Sequence, residues 1–350
     1  MSKTQATFDP KPDSHVGLSL FGKIALFCYT MNVNEKKQKT LLSGVKPTGH
    51  PHIGNYFGAM KQFVELQNTH SGYFMIADYH ALNFIQNAGE MRQNILDLAL
   101  DYLALGLDPK TSVIFKQSDV QEHTELAWIF DTITTMPYLQ RAHAYKDAQA
   151  KDKEISVGTF NYPMLMAADI LLYDTDVVPV GQDQKQHVEY ARDTAEKLNR
   201  IFSETFKLPE PLILADVAVV LGTDGQKMSK SYNNTIPLFA EPEEIQKAVM
   251  GIVTDSSGEL PKNVFAIHKL FRPEAELKSL YEANNGKYKV LKEALIADIE
   301  AFIAPLRERR KVLAQDEKSV LKILAEGAEK AREVAREKMK VVREKIGTTL

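Results

Sequence analysis

The segment KPTGHPHIGNYFG, residues 46–58, marks the point where one sequence pattern ends and another begins. A short apolar stretch precedes it at residues 40–45, and apolar side chains return after it at Ile53, Tyr56 and Phe57. Apolar residues spaced three and four apart are typical of an amphipathic helix. The pattern therefore predicts a strand, a tight turn rich in glycine and histidine, and a helix that begins near Ile53.

Composition limits the class of protein. The chain of 350 residues is 44% hydrophobic and 25% charged, which is ordinary for a globular protein and leaves room for two domains. No apolar run reaches the roughly 18 residues of a membrane span, so we expect no membrane partner. The single cysteine, Cys28, cannot form an internal disulfide, which favours a reducing cytoplasm. We expect residues 1–39 to be a poorly ordered extension, in which Met31 is a candidate start.

Strand-like and helical patterns alternate from residue 40 to residue 222. After residues 40–45, strands are expected at 73–82, 112–119, 177–181 and 216–222, and helices at 91–105, 125–136, 161–176 and 183–200. This alternation predicts an α/β fold with a doubly wound parallel sheet, whose ligands bind beyond the carboxyl ends of the strands. From about residue 243 onward the patterns are helical.

Charge is distributed unevenly along the chain. Residues 307–345 hold 13 basic and 8 acidic side chains, a local balance of +5 in a chain whose net charge is −3. A basic tail on an acidic body can provide a positive face for a polyanion. A solvated helix with ion pairs four residues apart is the alternative, and the charges alone leave both open.

Two segments suit the binding of anions. Residues 46–58 lead into a helix N-terminus, whose free N–H groups and dipole attract phosphate, and His52 adds a donor. The segment GTDGQKMSKSYNN, residues 222–234, carries Lys227 and Lys230 on a loop rich in glycine and serine. Ammonium groups placed in this way stabilise charge on a phosphoryl group. Taken alone, the first segment could equally be an ordinary turn, and a solvated lysine loop is the better interpretation of the second.

Taken together, HPHIGN (residues 50–55) and KMSKS (residues 227–231) resemble the two motifs of class I aminoacyl-tRNA synthetases. The segment NYPMLMAADILLYDTDVVPVGQDQKQHVEYARD, residues 161–193, is similar to the core of bacterial-type tryptophanyl-tRNA synthetases, as is FMIADYHAL, residues 74–82. The resemblance implies a Rossmann-like catalytic domain with a helical insertion over residues 40–235, and a helical, anticodon-binding domain over residues 236–350. It implies activation of L-tryptophan with ATP and Mg²⁺, transfer to tRNA(Trp), and a cytoplasmic homodimer without a metal site of its own.

The resemblance also assigns residues to the site. The expected catalytic residues are Lys227, Lys230, His52 and Asn55. The expected ATP-binding residues are Lys46, Pro47, Thr48, Gly54, Asn55, Gly181, Gln182, Asp183, Val220, Lys227, Met228, Ser229, Lys230 and Ser231. The expected tryptophan-binding residues are Asp169, Met166, Ile170, Tyr162, Gln184, His80, Leu42, Val178 and Val180. Many relatives carry Gln at position 46 and Thr at position 52, so Lys46 and His52 make this site more basic.

The choice of tryptophan depends on Asp169. An indole N–H is a donor that needs a buried acceptor, and Asp169 lies within the apolar run of residues 165–172. Without the family, an aspartate on the wet side of a helix is an equal alternative. Two other functions are considered: a tyrosyl-tRNA synthetase, against which the run from Met166 to Ile170 argues, and a non-catalytic paralogue that binds tryptophan or RNA. The intact Lys227 and Lys230 argue against the paralogue.

Overall fold

The computed structural model describes residues 38–150, 154–181, 185–213, 219–254 and 260–350. The expected extension, residues 1–39, lies outside the described residues except for its last two. Residues Lys39–Leu350 form one compact unit, and the domain boundary expected near residue 235 stays a prediction. Among the described residues, no helix has both the length and the apolarity that crossing a bilayer requires.

Strands and helices alternate through the first half of this unit, and helices follow. The strands are β1 (Thr40–Val45), β2 (Ser71–Ile76), β3 (Ser112–Lys116), β4 (Val177–Val180) and β5 (Glu210–Ile213). The helices of the α/β part are α1 (Ile53–Asn55), α2 (Lys61–Leu66), α3 (Asp78–Ala81), α4 (Ala88–Leu105), α5 (Glu122–Ile133), α6 (Met136–Leu139), α7 (His143–Ala150), α8 (Val157–Leu171) and α9 (Lys185–Phe202). The later helices are α10 (Pro242–Met250), α11 (Lys262–His268), α12 (Glu274–Ala283), α13 (Tyr288–Ala314) and α14 (Glu317–Ile346). A π-helical turn, Tyr56–Met60, joins α1 to α2.

The five strands form one parallel sheet in the order β3-β2-β1-β4-β5. Side chains on a strand alternate between the two faces of a sheet. Accordingly, Leu41 packs in the hydrophobic cluster on one face and Leu42 in the cluster on the other. Phe74 and Met75 divide in the same way on β2. The predicted doubly wound sheet is therefore confirmed, and its strand order reverses between β1 and β4, where ligands bind in such sheets.

Three of the predicted strands are wrong in extent. The strand expected at residues 112–119 ends at Lys116, where a 3₁₀ turn over Gln117–Asp119 begins. The strand expected at residues 73–82 ends at Ile76, and α3 begins at Asp78. Asp78 ends the strand because its carboxylate accepts hydrogen bonds from the backbone N–H groups of Tyr79 and Ser118, over 3.1 and 2.9 Å. The strand expected at residues 216–222 lies partly outside the described residues, and its described part has only an isolated bridge between Leu221 and Lys227. The last described strand is β5, an edge strand that contains Pro211.

The long helix α14 lies against the edge strand β3. A Cβ atom on Gly327 would overlap the carbonyl oxygen of Ile114, so the two backbones approach closely at this point. Further along α14, Ala328, Ala331 and Ala335 pack in the hydrophobic cluster that also contains Leu42 and Met75. A row of small residues therefore lets a helix cover the edge of the sheet.

Basic side chains of the tail pair with acidic groups of the α/β part. Arg310 contacts Asp97 and Asp101, each over 2.6 Å. Arg343 contacts Glu125 over 2.5 Å. These pairs join distant elements and neutralise part of the positive charge of the tail within the molecule. One pair of the kind expected for a solvated helix is also present, between Lys322 and Glu326 over 3.7 Å.

Candidate active site

A pocket of about 330 Å³ opens at the carboxyl ends of β1 and β4, where the strand order reverses. This volume lies within the range of small-molecule sites. Its walls are mainly apolar and come from β1, β4 and α8. The structure brings together here most residues expected to bind tryptophan: Leu42, His80, Tyr162, Met166, Asp169, Ile170, Val178 and Val180.

Asp169 places a carboxylate in this apolar pocket and is only 2% exposed. Its Oδ2 lies 2.9 Å from Nε2 of His80, and its Oδ1 accepts a hydrogen bond from Nε2 of Gln117 over 2.7 Å. Nδ1 of His123 lies 2.6 Å from the same Oδ1. A carboxylate offers about four acceptor directions, so one on Oδ2 remains for a further donor.

Asp169 is ionised in spite of its burial. Burial raises the pKa of a carboxyl group, but the charges and close contacts of His123 and His80 outweigh this effect and hold the pKa of Asp169 well below its usual range. An ionised carboxylate only accepts hydrogen bonds. The pocket therefore presents an acceptor where an indole N–H needs one.

The polar rim of the pocket is formed by a tyrosine and two histidines. The Tyr162 hydroxyl lies 2.9 Å from Nε2 of His187, and its ring meets that of His80 edge-on, with 6.3 Å between ring centroids. All three residues line the pocket. His187 was not anticipated, although it closes the polar run at residues 184–187 at the start of α9. Gln184, which was expected here, lies outside the described residues.

His52 and Asn55 cap α1 reciprocally. The backbone N–H of Asn55 donates to Nδ1 of His52 over 3.3 Å, and the backbone N–H of His52 donates to Oδ1 of Asn55 over 3.0 Å. A Cβ on Gly54 would lie 2.8 Å from Nδ1 of His52, so this cap requires glycine. The expected strand, turn and helix are thus confirmed, and the cap depends on three residues of the motif.

His52 is neutral at neutral pH. Burial, reinforced by the nearby charge of Lys230, lowers the pKa of His52 to about 4. Because Nδ1 accepts a hydrogen bond from the helix, the ring proton resides on Nε2. The ring can therefore donate to an anion at the helix N-terminus without carrying a charge of its own.

Lys230 connects the two segments that suit anion binding, residues 46–58 and 222–234. Its ammonium group donates to the carbonyl oxygens of Thr48 and Gly49, each over 2.9 Å. Burial lowers the pKa of Lys230, while Asp101 acts in the opposite direction. The residues of the two motifs, distant in sequence, thus form one polar region beside the apolar pocket.

Most of the residues expected to be catalytic or to bind ATP line two adjoining recesses. Both recesses are lined by His52, Asn55 and Ser229. The first recess adds Gly54, Val220, Lys227 and Met228, and the second adds Lys46, Thr48 and Lys230. Pro47 belongs to the same turn, and the hydroxyl of Ser231 lies 2.9 Å from that of Ser229. Gly181 lines the apolar pocket instead, and Gln182 and Asp183 lie outside the described residues.

Lys46 stands at the junction of these spaces, because it lines both the apolar pocket and the second recess. Its ammonium group lies 4.5 Å from the centroid of the Phe84 ring. The surrounding walls desolvate the side chain and lower the pKa of Lys46. The cation–π contact therefore holds a positive charge where the two cavities meet.

Asn234, which was not anticipated, organises the second loop. Its Oδ1 accepts from the backbone N–H of Ser229 over 2.8 Å, and its Nδ2 donates to Asp224 over 2.7 Å and to the carbonyl of Lys227 over 3.1 Å. Asn234 is 1% exposed, so these bonds form away from water. The adjacent pair of asparagines at residues 233 and 234, two positions after the end of the lysine motif, is the signal that could have identified it.

Comparison with known protein families identifies the class. The model of the family described as tRNA synthetases class I (W and Y) matches residues 34–295, more than half of the chain, and the chain belongs to this family. Both loops around the site, with His52, Lys227 and Lys230, fall within the match.

Within the class, the chain belongs with the tryptophan–tRNA ligases. A tryptophan–tRNA ligase of Fusobacterium nucleatum is 50% identical over 318 residues, which cover 88% of this chain and 98% of the relative. The tryptophan–tRNA ligase of Rhodopirellula baltica is 48% identical over 304 residues, which cover 84% of this chain and 95% of the relative. A crystal structure of the tryptophanyl-tRNA synthetase of Campylobacter jejuni complexed with ADP and tryptophan has a TM-score of 0.83 at 46% identity, covering 88% of this chain and 99% of that one. These relatives favour the tryptophan assignment over the tyrosine alternative.

Proposed function

We propose that this protein activates L-tryptophan with ATP, giving tryptophanyl-adenylate and pyrophosphate, and then transfers the tryptophanyl group to tRNA(Trp). The observation that carries the proposal is the ionised, buried Asp169 in an apolar pocket, beside the two loops (residues 46–58 and 222–234) that suit phosphate binding. The indole N–H would pair with its free acceptor direction. Phenylalanine would leave that acceptor unpaired, and sites of this kind reject such analogues strongly. The 50% identity to a tryptophan–tRNA ligase supports the same reaction.

In the first step, a carboxylate oxygen of tryptophan attacks the α-phosphorus of ATP. The bond from that phosphorus to the bridging oxygen breaks, and the electron pair leaves with pyrophosphate. We assign Lys227, Lys230 and the Nε2–H of His52 to the phosphate oxygens, where negative charge grows. Such a reaction is accelerated by positioning and by charge stabilisation, with little proton transfer for the protein to perform.

Lys46 is assigned to the meeting point of the two substrates. Both the tryptophan carboxylate and the α-phosphate are anionic, so they repel each other as they approach. An ammonium group at the junction of the two cavities reduces this repulsion. The described groups that face the phosphate recesses are cationic or neutral, which suits a Mg²⁺ ion that is bound mainly by the phosphates of ATP and adds positive charge to them.

In the second step, a terminal ribose hydroxyl of the tRNA attacks the adenylate carbonyl, and AMP leaves with the bonding electron pair. We assign the tRNA anticodon to the helices after residue 236. Exposed Lys318, Lys330 and Lys340 have no ion pair within the described chain, so they are candidates for phosphate contacts on α14. Specificity would come from stacking and base-edge contacts, and basic residues would supply affinity.

We also propose that the protein is a cytoplasmic homodimer, as the family resemblance implies. Trp128 and Met136, which are 70% and 61% exposed, are large apolar side chains available for burial in an interface. Light scattering should give twice the chain mass of 39.4 kDa. A single-chain mass at micromolar concentration would contradict the dimer.

The experiment that tests the activity is exchange of labelled pyrophosphate into ATP in the presence of tryptophan, tyrosine or phenylalanine. Exchange with tryptophan alone is expected, because phenylalanine offers Asp169 no donor and the shape of the apolar pocket must exclude tyrosine, which does offer one. Exchange with tyrosine would transfer the assignment to the sister enzyme. Folded protein that supports no exchange with any of the three would indicate the non-catalytic paralogue.

A further inference from the structure

A buried polar network lies behind the carboxylate of Asp169, on the side away from the pocket lining. His123, at the start of α5, is 0% exposed and lies with Nδ1 2.6 Å from Oδ1 of Asp169. Its Nε2 lies 2.8 Å from the hydroxyl of Tyr173. The ring stacks against Phe115, with 6.2 Å between ring centroids, so packing and hydrogen bonding both fix its orientation.

His123 approaches Asp169 closely but without a well-aligned hydrogen bond. Nδ1 has no acceptor in hydrogen-bonding geometry within the described residues, although it lies close to Oδ1. The contact therefore depends on proximity more than on direction.

Gln117 supplies the directional bond. It follows β3 in a short 3₁₀ turn, is 0% exposed, and donates from Nε2 to Oδ1 of Asp169 over 2.7 Å. Its own Oε1 has no hydrogen-bond partner within the described chain, although it is buried. Leaving a buried acceptor unpaired costs stability. Gln117 is thus a buried amide whose donor is used while its acceptor is not.

These contacts distribute the donors unequally over the two carboxylate oxygens. Gln117 and His123 both approach Oδ1, whereas His80 approaches Oδ2. Oδ1 is therefore enclosed by the Gln117 amide and the His123 ring, and Oδ2 keeps an open acceptor direction. The pair also opposes rotation of the carboxylate, since a turn about its bond would remove both contacts.

From this arrangement we infer that His123 and Gln117 are positioning residues that hold Asp169 in the one orientation in which Oδ2 accepts from the substrate. They thereby set the selectivity of the site for a substrate that carries an N–H group. The inference rests on the proposed function, because it takes the indole as the donor to Asp169. Neither residue needs to touch the substrate for this role.

The test compares tryptophan with β-(3-benzothienyl)alanine, in which sulfur replaces the indole N–H at similar size. The measured quantity is the ratio of kcat/KM for the two amino acids in pyrophosphate exchange. We expect His123→Leu to lower this ratio about tenfold or more, because a carboxylate free to turn no longer favours a donor. His123→Asn, whose amide nitrogen stands near the position of Nδ1, should recover most of the ratio.

Two controls separate positioning from general damage. Phe130→Leu removes volume from another fully buried position on α5 and should leave the ratio unchanged. If His123→Leu does not fold, Gln117→Met removes the directional bond at similar volume and should lower the ratio in the same way. Equal losses for both amino acids in the His123 and Gln117 variants would overturn the inference.

The inference and the proposed function fail in different ways. A wild-type protein that supports no exchange with tryptophan removes the proposed function, and this inference with it. A wild-type protein that prefers tryptophan, with a ratio that neither variant changes, removes only the role of His123 and Gln117.

Discussion

The ammonium group of Lys230 donates to the carbonyl oxygen of Gly49 over 2.9 Å, although the two residues are 181 positions apart in the sequence. The contact joins the turn after β1 to the lysine loop that follows the last strand. Gly49 has a φ of +90°, a conformation that favours glycine and directs its carbonyl toward the loop. The backbone of the turn thus holds the lysine side chain in place.

Replacing this lysine separates catalysis from amino-acid binding. Lys230→Ala should lower kcat for pyrophosphate exchange by about 10²–10³-fold, because charge stabilisation at the phosphates is lost. The dissociation constant for tryptophan should stay unchanged, since the pocket around Asp169 does not contain Lys230. Exchange kinetics and calorimetric titration with tryptophan measure the two quantities. Lys110→Ala, an exposed lysine on a distant turn, serves as the control, and equal losses in both quantities would argue against the role of Lys230.

His52 should make the stability depend on pH in a defined window. Its pKa is lowered to about 4 in the folded state, against about 6.5 in an unfolded chain. Between these values the unfolded chain binds more protons, so the free energy of unfolding should fall as the pH decreases from 6.5 toward 4. Going from pH 7 to pH 5, the wild type should lose about 1–2 kcal/mol more than His52→Asn.

The comparison uses asparagine because this residue also caps helices well. Urea denaturation at the two pH values gives the four free energies, and other titrating groups cancel in the difference. Adding Lys230→Met to the wild type should reduce the pH effect, because the charge of Lys230 contributes to the lowered pKa. A pH dependence identical in wild type and His52→Asn would show that His52 titrates normally in the folded protein.

Phe84 and Lys46 should act as one unit. Removing the ring in Phe84→Ala should lower kcat/KM about threefold, the value expected for an exposed cation–π contact. Lys46→Gln should lower it by about tenfold or more, because the charge at the junction is lost. In a Lys46→Gln background, Phe84→Ala should have no further effect, and Phe84→Tyr should behave like the wild type. Additive losses in this double-mutant cycle would mean that the two residues act independently.

Gly327→Ala reverses the usual effect of alanine in a helix. An alanine inside a helix normally stabilises by about 0.5–1 kcal/mol relative to glycine. Here the new methyl group would overlap the carbonyl of Ile114, so α14 must move away from β3. We expect the free energy of unfolding to fall by about 1–3 kcal/mol. Urea denaturation checks the sign, with Ala325→Gly on the exposed side of α14 as the control for helix propensity alone.

The parts of the fold that the sequence predicted correctly depend on short-range signals. The strand, turn and helix around residues 46–58 follow from periodicity and from glycine punctuation, and both are local properties. The strand at 73–82 was predicted too long because a buried strand and a buried helix are both continuous apolar runs. Only the carboxylate of Asp78, which pairs with the backbone of Ser118, shows where the chain turns.

The residues of the candidate site also fall into two groups: those that the sequence identified and those that only the folded chain brings together. Asp169 and the two lysines lie in segments that resemble a known family, so they were identified directly. Gln117 and His123 contact Asp169 across 52 and 46 positions of sequence, and no pattern within their own segment points to that contact. His187 and Asn234 likewise acquire their roles only when separate segments meet in the folded chain.

The close contact between Gly327 and Ile114 has a consequence for the order in which the chain matures. The helix that covers β3 follows every strand of the sheet in the sequence, so the ribosome produces the sheet first. Until α14 emerges, the backbone groups along β3 are uncovered, and an uncovered strand edge is a template for pairing with another nascent chain. The α/β part is therefore completed only late in the synthesis of the chain. A stalled or truncated chain that lacks α14 would be prone to aggregate.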